Sequence, residues 1–387
     1  MHLTKEQERM LEGEHGEIVA KMMRLLVRLG DVYDASKMIP VASVQVAGVS
    51  YKSIGDAGLE FLQDIAKEAR VKVLTFLNPA GMDLENWREM GIDEEFAKKQ
   101  VAIIEAFKKM GIIISATCTP YLAGNLPRYR QHIAWSESSA VSFANSVIGA
   151  RTNREGGPSA LAAAITGFTP YYGLHLDENR QPSVVIEVKT ELKTSTDFAA
   201  MGYYVGKEVK KGIPYFKGIG NADVDDLKAL GAAMAASGAV ALYHVEGITP
   251  EAKEVSIDAL EKIEFGEEEL KEIYDRLNTG DEPDIIIFGC PHASLNEIIK
   301  IARLVKGKRK KFWICTSRAV KEIAGKMGLE EKIEKAGGKI IADTCMVVSP
   351  IENLFSTTAV NSAKAAHYLP GFCKQKVVFK SMEELLS

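Results

Sequence analysis

The 387-residue sequence has few cysteines and no long hydrophobic run. Its five cysteines are widely separated and include no CxxC pair, so we expect free thiols rather than structural disulfides. The most apolar stretch, 231–245, is interrupted by Ser237 and Gly238 and is too short to cross a bilayer. Residues 1–16 carry charges throughout and lack the apolar core of a secretory signal. These absences predict a cytoplasmic protein that does not span a membrane.

An excess of charge of one sign is also missing. The chain has 48 Lys and Arg against 52 Asp and Glu, a formal net charge of −4, without a long run of either sign. This balance argues against nucleic acid or a membrane surface as a partner. Hydrophobic residues make up 46% of the chain and charged residues 26%, which is typical of a folded α/β protein and excludes disorder as the main state.

Alternating strand and helix patterns predict an α/β protein of three units with mainly parallel sheets. The first unit spans 1–154, and we expect the C-terminal segment 346–387 to complete it. The second unit spans 155–265 and the third, which has the clearest doubly wound pattern, spans 266–345.

The strands and helices of these units are expected where apolar runs alternate with amphipathic periodicity. Strands are predicted at 41–47, 71–77, 111–117, 184–189, 240–244, 284–288, 311–315 and 339–342. Helices are predicted at 56–70, 94–109, 196–211, 222–236, 294–305 and 318–335, and a capping box at Thr4 opens an N-terminal helix.

Residues that directly follow parallel strands are the first candidates for a site, because ligands bind at the carboxyl ends of such strands. The segments at these positions are 48–50, 78–81, 118–120, 289–292, 316–318 and 343–345. Three of the five cysteines, Cys118, Cys290 and Cys345, lie in them. Thiolates are preferred ligands of iron–sulfur clusters and zinc, although a free cysteine is more often a small buried hydrophobe. Both interpretations stay open on spacing alone.

The remaining candidates also have two interpretations each. Cys315 falls inside a predicted strand and Cys373 has no partner signal. Residues 136–140 begin a helical run, so they form either an anion pocket or a plain helix cap. The other polar candidates either contribute to a site or are ordinary side chains that are solvated, cap a helix or pack in the core. They are Arg151, Asn153, Arg154, His244, His292 and Lys364.

Taken together, these segments resemble the large subunit of the aconitase X family over essentially the whole chain. The resemblance is carried by residues 48–50, 76–81, 116–121, 135–140, 153–156, 289–292 and 343–345. It is greatest to the archaeal branch of the family. That likeness implies a hydro-lyase that dehydrates (R)-5-phosphomevalonate to trans-anhydromevalonate 5-phosphate in a modified mevalonate route to isoprenoids.

The resemblance also implies an architecture and a set of site residues. The three α/β/α domains would be arranged like the first three domains of aconitase, around a central cleft. Cys118, Cys290 and Cys345 would hold an iron–sulfur cluster of the [4Fe-4S] type, whose Lewis acidity activates the leaving hydroxyl. Substrate contacts carried over by position are Gly48, Val49, Ser50, Asn78, Pro79, Glu137, Ser138 and Lys364.

Two departures from true aconitases bear on partners. Aconitases draw two ligands from a CxxC and carry a swivelling fourth domain, and this sequence shows neither. The resemblance therefore implies a heterodimer with a small swivelling-domain subunit, which supplies a serine as the general base, so no catalytic residue is assigned in this chain. Two alternatives remain: dehydration of cis-3-hydroxy-L-proline, the family's other activity, and a metal-free protein that binds small anions.

Overall fold

The computed structural model describes residues 1–305, 307 and 311–387, and its first unit contains a parallel sheet with helices around it. The strands of this unit are β1 (Met38–Pro40), β2 (Ser43–Val46), β3 (Leu74–Leu77), β4 (Ala134–Trp135) and β5 (Phe168–Pro170). Its helices are α1 (Lys5–Glu12), α2 (Glu17–Val32), α3 (Tyr51–Ile65), α4 (Trp87–Met90), α5 (Glu94–Lys109), α6 (Ser138–Phe143) and α7 (Gly157–Thr166). The parallel sheet has the order β3-β2-β4, and β1 pairs with β5 in an antiparallel ribbon.

Local sequence explains the helix starts of this unit. The Thr4 hydroxyl accepts a hydrogen bond from the Gln7 amide at 3.3 Å, and the Gln7 side chain accepts one from the Thr4 amide at 2.9 Å, as the predicted capping box requires. The Asp93 carboxylate accepts hydrogen bonds from two free amides at the start of α5. The Ala-rich helix α7 packs its buried residues into the core of this unit, although the sequence pattern assigned it to the second unit.

The predicted strand at 111–117 is wrong in its extent. Only Ile113 forms a bridge to β3, and Ala116 has a φ of 40°, which turns the chain out of the sheet. The Ser115 hydroxyl takes over part of the ladder, since it accepts a hydrogen bond from the Leu77 amide at 3.0 Å and contacts the Leu77 carbonyl at 3.1 Å. The segment still runs beside β3, so it delivers Cys118 to the carboxyl edge of the sheet.

The second unit is a four-stranded parallel sheet with the order β8-β7-β6-β9. Its elements are β6 (Val184–Val188), α8 (Ser195–Val209), β7 (Pro214–Lys217), α9 (Val224–Gly238), β8 (His244–Val245), β9 (Lys262–Phe265) and α10 (Glu267–Leu277). Helices α8 and α9 pack so closely that a Cβ on Gly238 would lie 1.8 Å from the Gly206 carbonyl oxygen. This contact requires glycine at position 238.

The third unit has a five-stranded parallel sheet with the order β12-β11-β10-β13-β14. Its strands are β10 (Ile285–Phe288), β11 (Phe312–Thr316), β12 (Gly338–Ala342), β13 (Thr357–Val360) and β14 (Lys376–Phe379). Its helices are α11 (Leu295–Leu304), α12 (Arg318–Lys326), α13 (Leu329–Lys335), α14 (Ala363–Cys373) and α15 (Met382–Leu386). The helix predicted over 318–335 is divided at Gly328, which has a left-handed φ of 71°.

The C-terminal segment 346–387 completes this third unit and not the first, which corrects the sequence-based expectation. Strand β13 pairs with β10, and β14 pairs with β13, both in parallel register. Strand β13 is buried throughout and β14 is buried except at Lys376, as expected for strands that a parallel sheet covers on two faces. Within the described residues, no helix is both long and apolar enough to cross a membrane.

Candidate functional site

A cavity of about 260 Å³ lies where the first and third units meet. Eight of the residues to which the family resemblance gives a site role line it, and they come from both units: Asn78, Pro79, Cys118, Glu137, Ser138, Cys290, Cys345 and Lys364. Cys290 and Cys345 follow β10 and β12, and Asn78 follows β3, so each lies at the carboxyl end of a parallel strand. The two units thus place their strand ends against one shared space.

The segment Gly48, Val49 and Ser50 lies behind this cavity instead of on its wall. The Ser50 hydroxyl donates a hydrogen bond to the Val348 carbonyl at 2.8 Å, and Val348 lines the cavity. Gly48, with a φ of 80°, lines a neighbouring apolar cleft, and Val49 is buried in the core of the first unit.

Gln100 joins this segment to the 78–81 loop, and the sequence analysis missed it. Its side-chain oxygen accepts hydrogen bonds from the amides of Tyr51 at 3.0 Å and Gly81 at 2.9 Å, and its side-chain nitrogen donates to the Val49 carbonyl at 2.9 Å. Gln100 is fully buried on the apolar face of α5. A polar residue within an apolar helical stripe is the signal that could have revealed it.

The three cysteine thiols at the cavity are buried, and burial together with neighbouring groups shifts their pKa values. Burial raises the pKa of Cys118 to about 12. A hydrogen bond with Cys345, together with burial, raises the pKa of Cys290 well above its ordinary value, and the same bond lowers the pKa of Cys345. A metal would displace the protons of these thiols, because the thiolate is the ligand form.

The donor set fits an iron–sulfur cluster better than a single ion. Within the described part of the chain, no group of three or more His, Cys, Asp or Glu side chains is arranged to hold one metal ion. In a [4Fe-4S] cluster each cysteine would bind a different iron, so the three sulfurs need not converge on one atom. Cys118, Cys290 and Cys345 line one cavity, and a buried cation, Lys364, lies near enough for its charge to act on all three. Three soft ligands beside a compensating positive charge are the chemistry that such a cluster needs.

The other two cysteines occupy different surroundings. Cys315 lies inside β11 and is packed in the apolar core. Cys373 ends α14, where the Lys52 ammonium contacts its sulfur at 3.3 Å and Glu352 at 2.7 Å. Neither of them lines the cavity.

Glu137 and Lys364 form a buried ion pair on the cavity wall, with Nζ 2.5 Å from Oε1. The Glu137 carboxylate also accepts hydrogen bonds from the Ser139 hydroxyl at 2.5 Å and the Ala140 amide at 2.8 Å, so Glu137 caps α6. Burial acts to raise the pKa of Glu137, but the charge and hydrogen bond of Lys364 outweigh it and lower the pKa. Burial acts to lower the pKa of Lys364, and Glu137 reverses this and raises it. Lys364 is therefore a paired buried cation and not the solvated lysine that the pattern alone suggested.

His292 lies behind the cysteines rather than in the cavity. Its Nε2–H donates to the Thr344 carbonyl at 2.9 Å, which leaves Nδ1 to accept from the Thr117 hydroxyl at 2.9 Å. Burial lowers the pKa of His292 to about 4, so the ring is neutral at pH 7. Both ring nitrogens are occupied by protein partners, so His292 has no free nitrogen for the acid or base role considered for it.

Two polar groups at the cavity lack protein partners among the described residues. The Asn78 side-chain oxygen is buried without a hydrogen-bond partner. Arg154 lines the cavity, is exposed, and has neither an ion pair nor a side-chain hydrogen bond within the described chain. An unpaired acceptor and an unpaired cation facing one space are suited to a polar, anionic ligand.

Arg151, Asn153 and His244, which were weighed as site residues, have structural contacts elsewhere. Arg151 and Arg180 both pair with Glu251, at 2.6 and 2.5 Å, in a buried cluster between the first two units. His244 donates from Nε2 to the Arg180 carbonyl at 2.9 Å. Asn153 holds the turn at 172–174 through its side-chain amide.

Comparison with known proteins covers nearly the whole chain. Family models match in three parts: "Aconitase X first domain" at residues 1–178, "Aconitase X second domain" at 182–275 and "Aconitase X third domain" at 283–387. The crystal structure of Thermococcus kodakaraensis aconitase X in its holo-form superposes with a TM-score of 0.94 at 50% identity, covering 100% of this chain and 99% of that one.

Curated relatives carry two different names. The phosphomevalonate dehydratase large subunit of Methanocaldococcus jannaschii is 60% identical over 100% of this chain and 99% of its own length. The protein of the same name from Methanothermobacter thermautotrophicus is 53% identical over 100% and 98%. The cis-3-hydroxy-L-proline dehydratase of Pseudomonas aeruginosa is 35% identical, and this chain covers only 67% of it. On these matches the chain belongs to the aconitase X family.

Proposed function

We propose that this chain is the large subunit of a dehydratase that converts (R)-5-phosphomevalonate to trans-anhydromevalonate 5-phosphate. The observation that carries the proposal is the shared cavity, where three thiols, the Glu137–Lys364 pair and the unpaired Asn78 oxygen come together. The relatives at 51–60% identity over the full chain bear the name of this activity, whereas those named for hydroxyproline are 32–35% identical.

Cys118, Cys290 and Cys345 would hold the iron–sulfur cluster, proposed as [4Fe-4S]. When bound, the cluster supplies a Lewis acid that makes the substrate hydroxyl a better leaving group. The chain's own residues bind and orient the substrate. The Ser50 contact to Val348 and the Gln100 contacts to Val49 and Gly81 hold the wall of the cavity in place. The Asn78 oxygen accepts from a hydroxyl of the bound substrate.

Two anions must be held at once, the carboxylate and the phosphate of the substrate. Lys364 contacts the carboxylate only in competition with Glu137, because that pair is closed in this structure. Arg154 is the cation of the cavity wall without a counter-charge among the described residues. We therefore assign the phosphate to Arg154 and leave Lys364 and Ser138 to orient the end of the substrate near the thiols.

Among its described lining residues the cavity holds no free carboxylate or histidine that could accept a proton, which supports a partner subunit. Glu137 is bound to Lys364 and has a lowered pKa, and His292 has both nitrogens engaged. The thiols are assigned to the cluster. The base that removes the proton from the substrate is therefore proposed to come from a small subunit, as the words "large subunit" in the relatives' names suggest.

The assembled complex tests this function. The chain and its small subunit, purified without oxygen, should contain iron and sulfide and should dehydrate (R)-5-phosphomevalonate. The chain alone should be inactive and should gain activity when the small subunit is added. Turnover confined to cis-3-hydroxy-L-proline would favour the second family activity, and anion binding without iron would favour a metal-free binding protein.

A further inference from the structure

We infer that His292 is a positioning residue that fastens the three cysteine-bearing segments to one another, and that the stability of the cluster depends on this fastening. The inference rests on the proposed cluster site. It concerns contacts that lie outside the cavity and that neither the cavity lining nor the names of the relatives assign.

The first segment that His292 holds is the one that carries Cys118. The Thr117 hydroxyl donates to Nδ1 of His292 at 2.9 Å, and the His292 backbone amide donates to the Cys118 sulfur at 3.2 Å. Thr117 is fully buried, and its hydroxyl also contacts the Thr119 hydroxyl at 3.1 Å. One residue thus bonds both the sulfur and its neighbouring side chain.

The second segment is the one that carries Cys345. The Nε2–H group of His292 donates to the Thr344 carbonyl at 2.9 Å, one residue before the thiol. Cys290, the third cysteine, is joined to His292 covalently through Pro291. The side-chain contacts of His292 therefore reach residues of the first and third units that are 175 and 52 positions away in sequence.

The backbone of His292 is itself held from the second unit. The Lys228 ammonium donates to the His292 carbonyl at 3.3 Å and pairs with Asp225 at 2.9 Å and with Glu297. Lys228 lies on α9, so all three units meet at this residue. A buried group with every polar atom satisfied orients its neighbours rigidly. Such outer contacts determine how well ligands are placed for a metal, and their loss typically lowers metal affinity by about 10- to 100-fold.

Two substitutions separate the two hydrogen bonds of the His292 ring. His292→Asn places an amide oxygen near the Nδ1 position and keeps the bond to the Thr117 hydroxyl. His292→Gln places an amide nitrogen near Nε2 and keeps the bond to the Thr344 carbonyl. We expect each to speed the loss of iron to a chelator by about tenfold, and His292→Leu by about 100-fold, with altered visible and electron paramagnetic resonance spectra of the reconstituted cluster. Thr117→Val should reproduce the effect of His292→Gln and add little to it, because both remove the same bond.

His244 offers a matched control. It is also a buried histidine that donates from Nε2 to a backbone carbonyl at 2.9 Å, but its partner is Arg180 in the other buried cluster. His244→Gln should leave iron content, release rate and spectra unchanged in the full chain reconstituted anaerobically with iron and sulfide.

Each outcome of this experiment decides one question. If the unsubstituted chain binds no iron and sulfide, the proposed function fails. If it binds them and the three His292 variants match it in iron release and spectra, the inference is overturned while the function stands. Equal losses in the His244 control would also overturn it, since general destabilisation would then explain the effect. If His292→Leu does not fold, the Asn and Gln variants still carry the test.

Discussion

Two buried charge clusters in this molecule differ in what surrounds them. At the junction of the first two units, Glu251 is held by Arg151 and Arg180, and Arg180 also donates to the Asn145 and Leu174 carbonyls at 2.9 and 3.1 Å. At the cavity, the Glu137–Lys364 pair borders open space, three thiols and an unpaired Asn78 oxygen. The charges of the junction cluster are paired with one another, whereas those of the cavity cluster border a space that a ligand can enter.

This difference shows that buried, perturbed charge alone does not mark a functional site. Burial lowers the pKa of Arg180 just as charge and burial displace the pKa values of Glu137 and Lys364. What distinguishes the cavity cluster is the adjacent open space, which three thiols and the unpaired Asn78 oxygen line. Substitutions in the junction cluster should therefore change stability only, and those in the cavity cluster should also change metal or substrate binding.

The largest effect is expected from the thiols. Cys118→Ser, Cys290→Ser and Cys345→Ser should each remove most of the bound iron, because a hydroxyl is a far poorer iron ligand than a thiolate. Cys315→Ser and Cys373→Ser are the matched controls, since both are buried cysteines outside the cavity. Iron per chain after anaerobic reconstitution is the measurement. Iron retained in Cys118→Ser, or lost in Cys373→Ser, would contradict the distinction between the cavity cysteines and the other two.

The next effect is expected from the ion pairs. Lys364→Met leaves the Glu137 carboxylate buried without its cation, which should lower the free energy of unfolding by about 3–5 kcal/mol at pH 7. In the native chain the pKa of Glu137 is lowered, so its contribution is present at neutral pH and is lost as pH falls through that lowered pKa. In the variant the uncompensated Glu137 carboxyl should instead have a raised pKa. Acidification should therefore reduce the difference in the free energy of unfolding between the native chain and Lys364→Met.

Arg180→Met is the control for this pair. It should also destabilise the chain in denaturant titrations, because it removes several buried hydrogen bonds. Unlike Lys364→Met, it should leave the KM for (R)-5-phosphomevalonate and the iron content unchanged in the assembled enzyme. An equal rise of KM in both variants would show that the two clusters do not differ in function.

A smaller effect is expected from Arg154. Arg154→Gln should raise the KM for the phosphorylated substrate by about tenfold with little change in kcat, since one charge-assisted contact contributes about 1.5–3 kcal/mol. Arg28→Gln, an exposed arginine on α2, is the control. Inorganic phosphate should compete with substrate in the native enzyme and much less in Arg154→Gln. Unchanged KM and phosphate inhibition would remove Arg154 from the site.

Elements with strong local signals could be predicted from the sequence. The helix at 94–109 has the predicted bounds, and the three strands of the third unit that the pattern gave differ by no more than one residue at either end. The strand at 111–117 failed because a serine side chain replaced the backbone ladder, which no periodicity records. The assignment of 346–387 to the first unit was wrong because a parallel strand can pair with any apolar strand, and the sequence does not specify which one.

The candidate site likewise contains residues that the sequence predicted and contacts that it could not predict. Residues after strands could be found, because their position follows from topology. The pairing of Lys364 with Glu137, 227 residues away, could not be, and neither could the burial of Gln100 or the two bonds of the His292 ring. Tyr368 and Phe372 also line the cavity from α14, and nothing in their local pattern distinguished them from surface residues. Long-range contacts of this kind depend on how the units pack together.

The most direct test of the account is the dehydration of (R)-5-phosphomevalonate by the anaerobically assembled enzyme before and after a chelator removes its iron. The account predicts that activity disappears with the iron and returns when iron and sulfide are restored, while Cys118→Ser stays inactive throughout. Full turnover by the iron-free enzyme would contradict it.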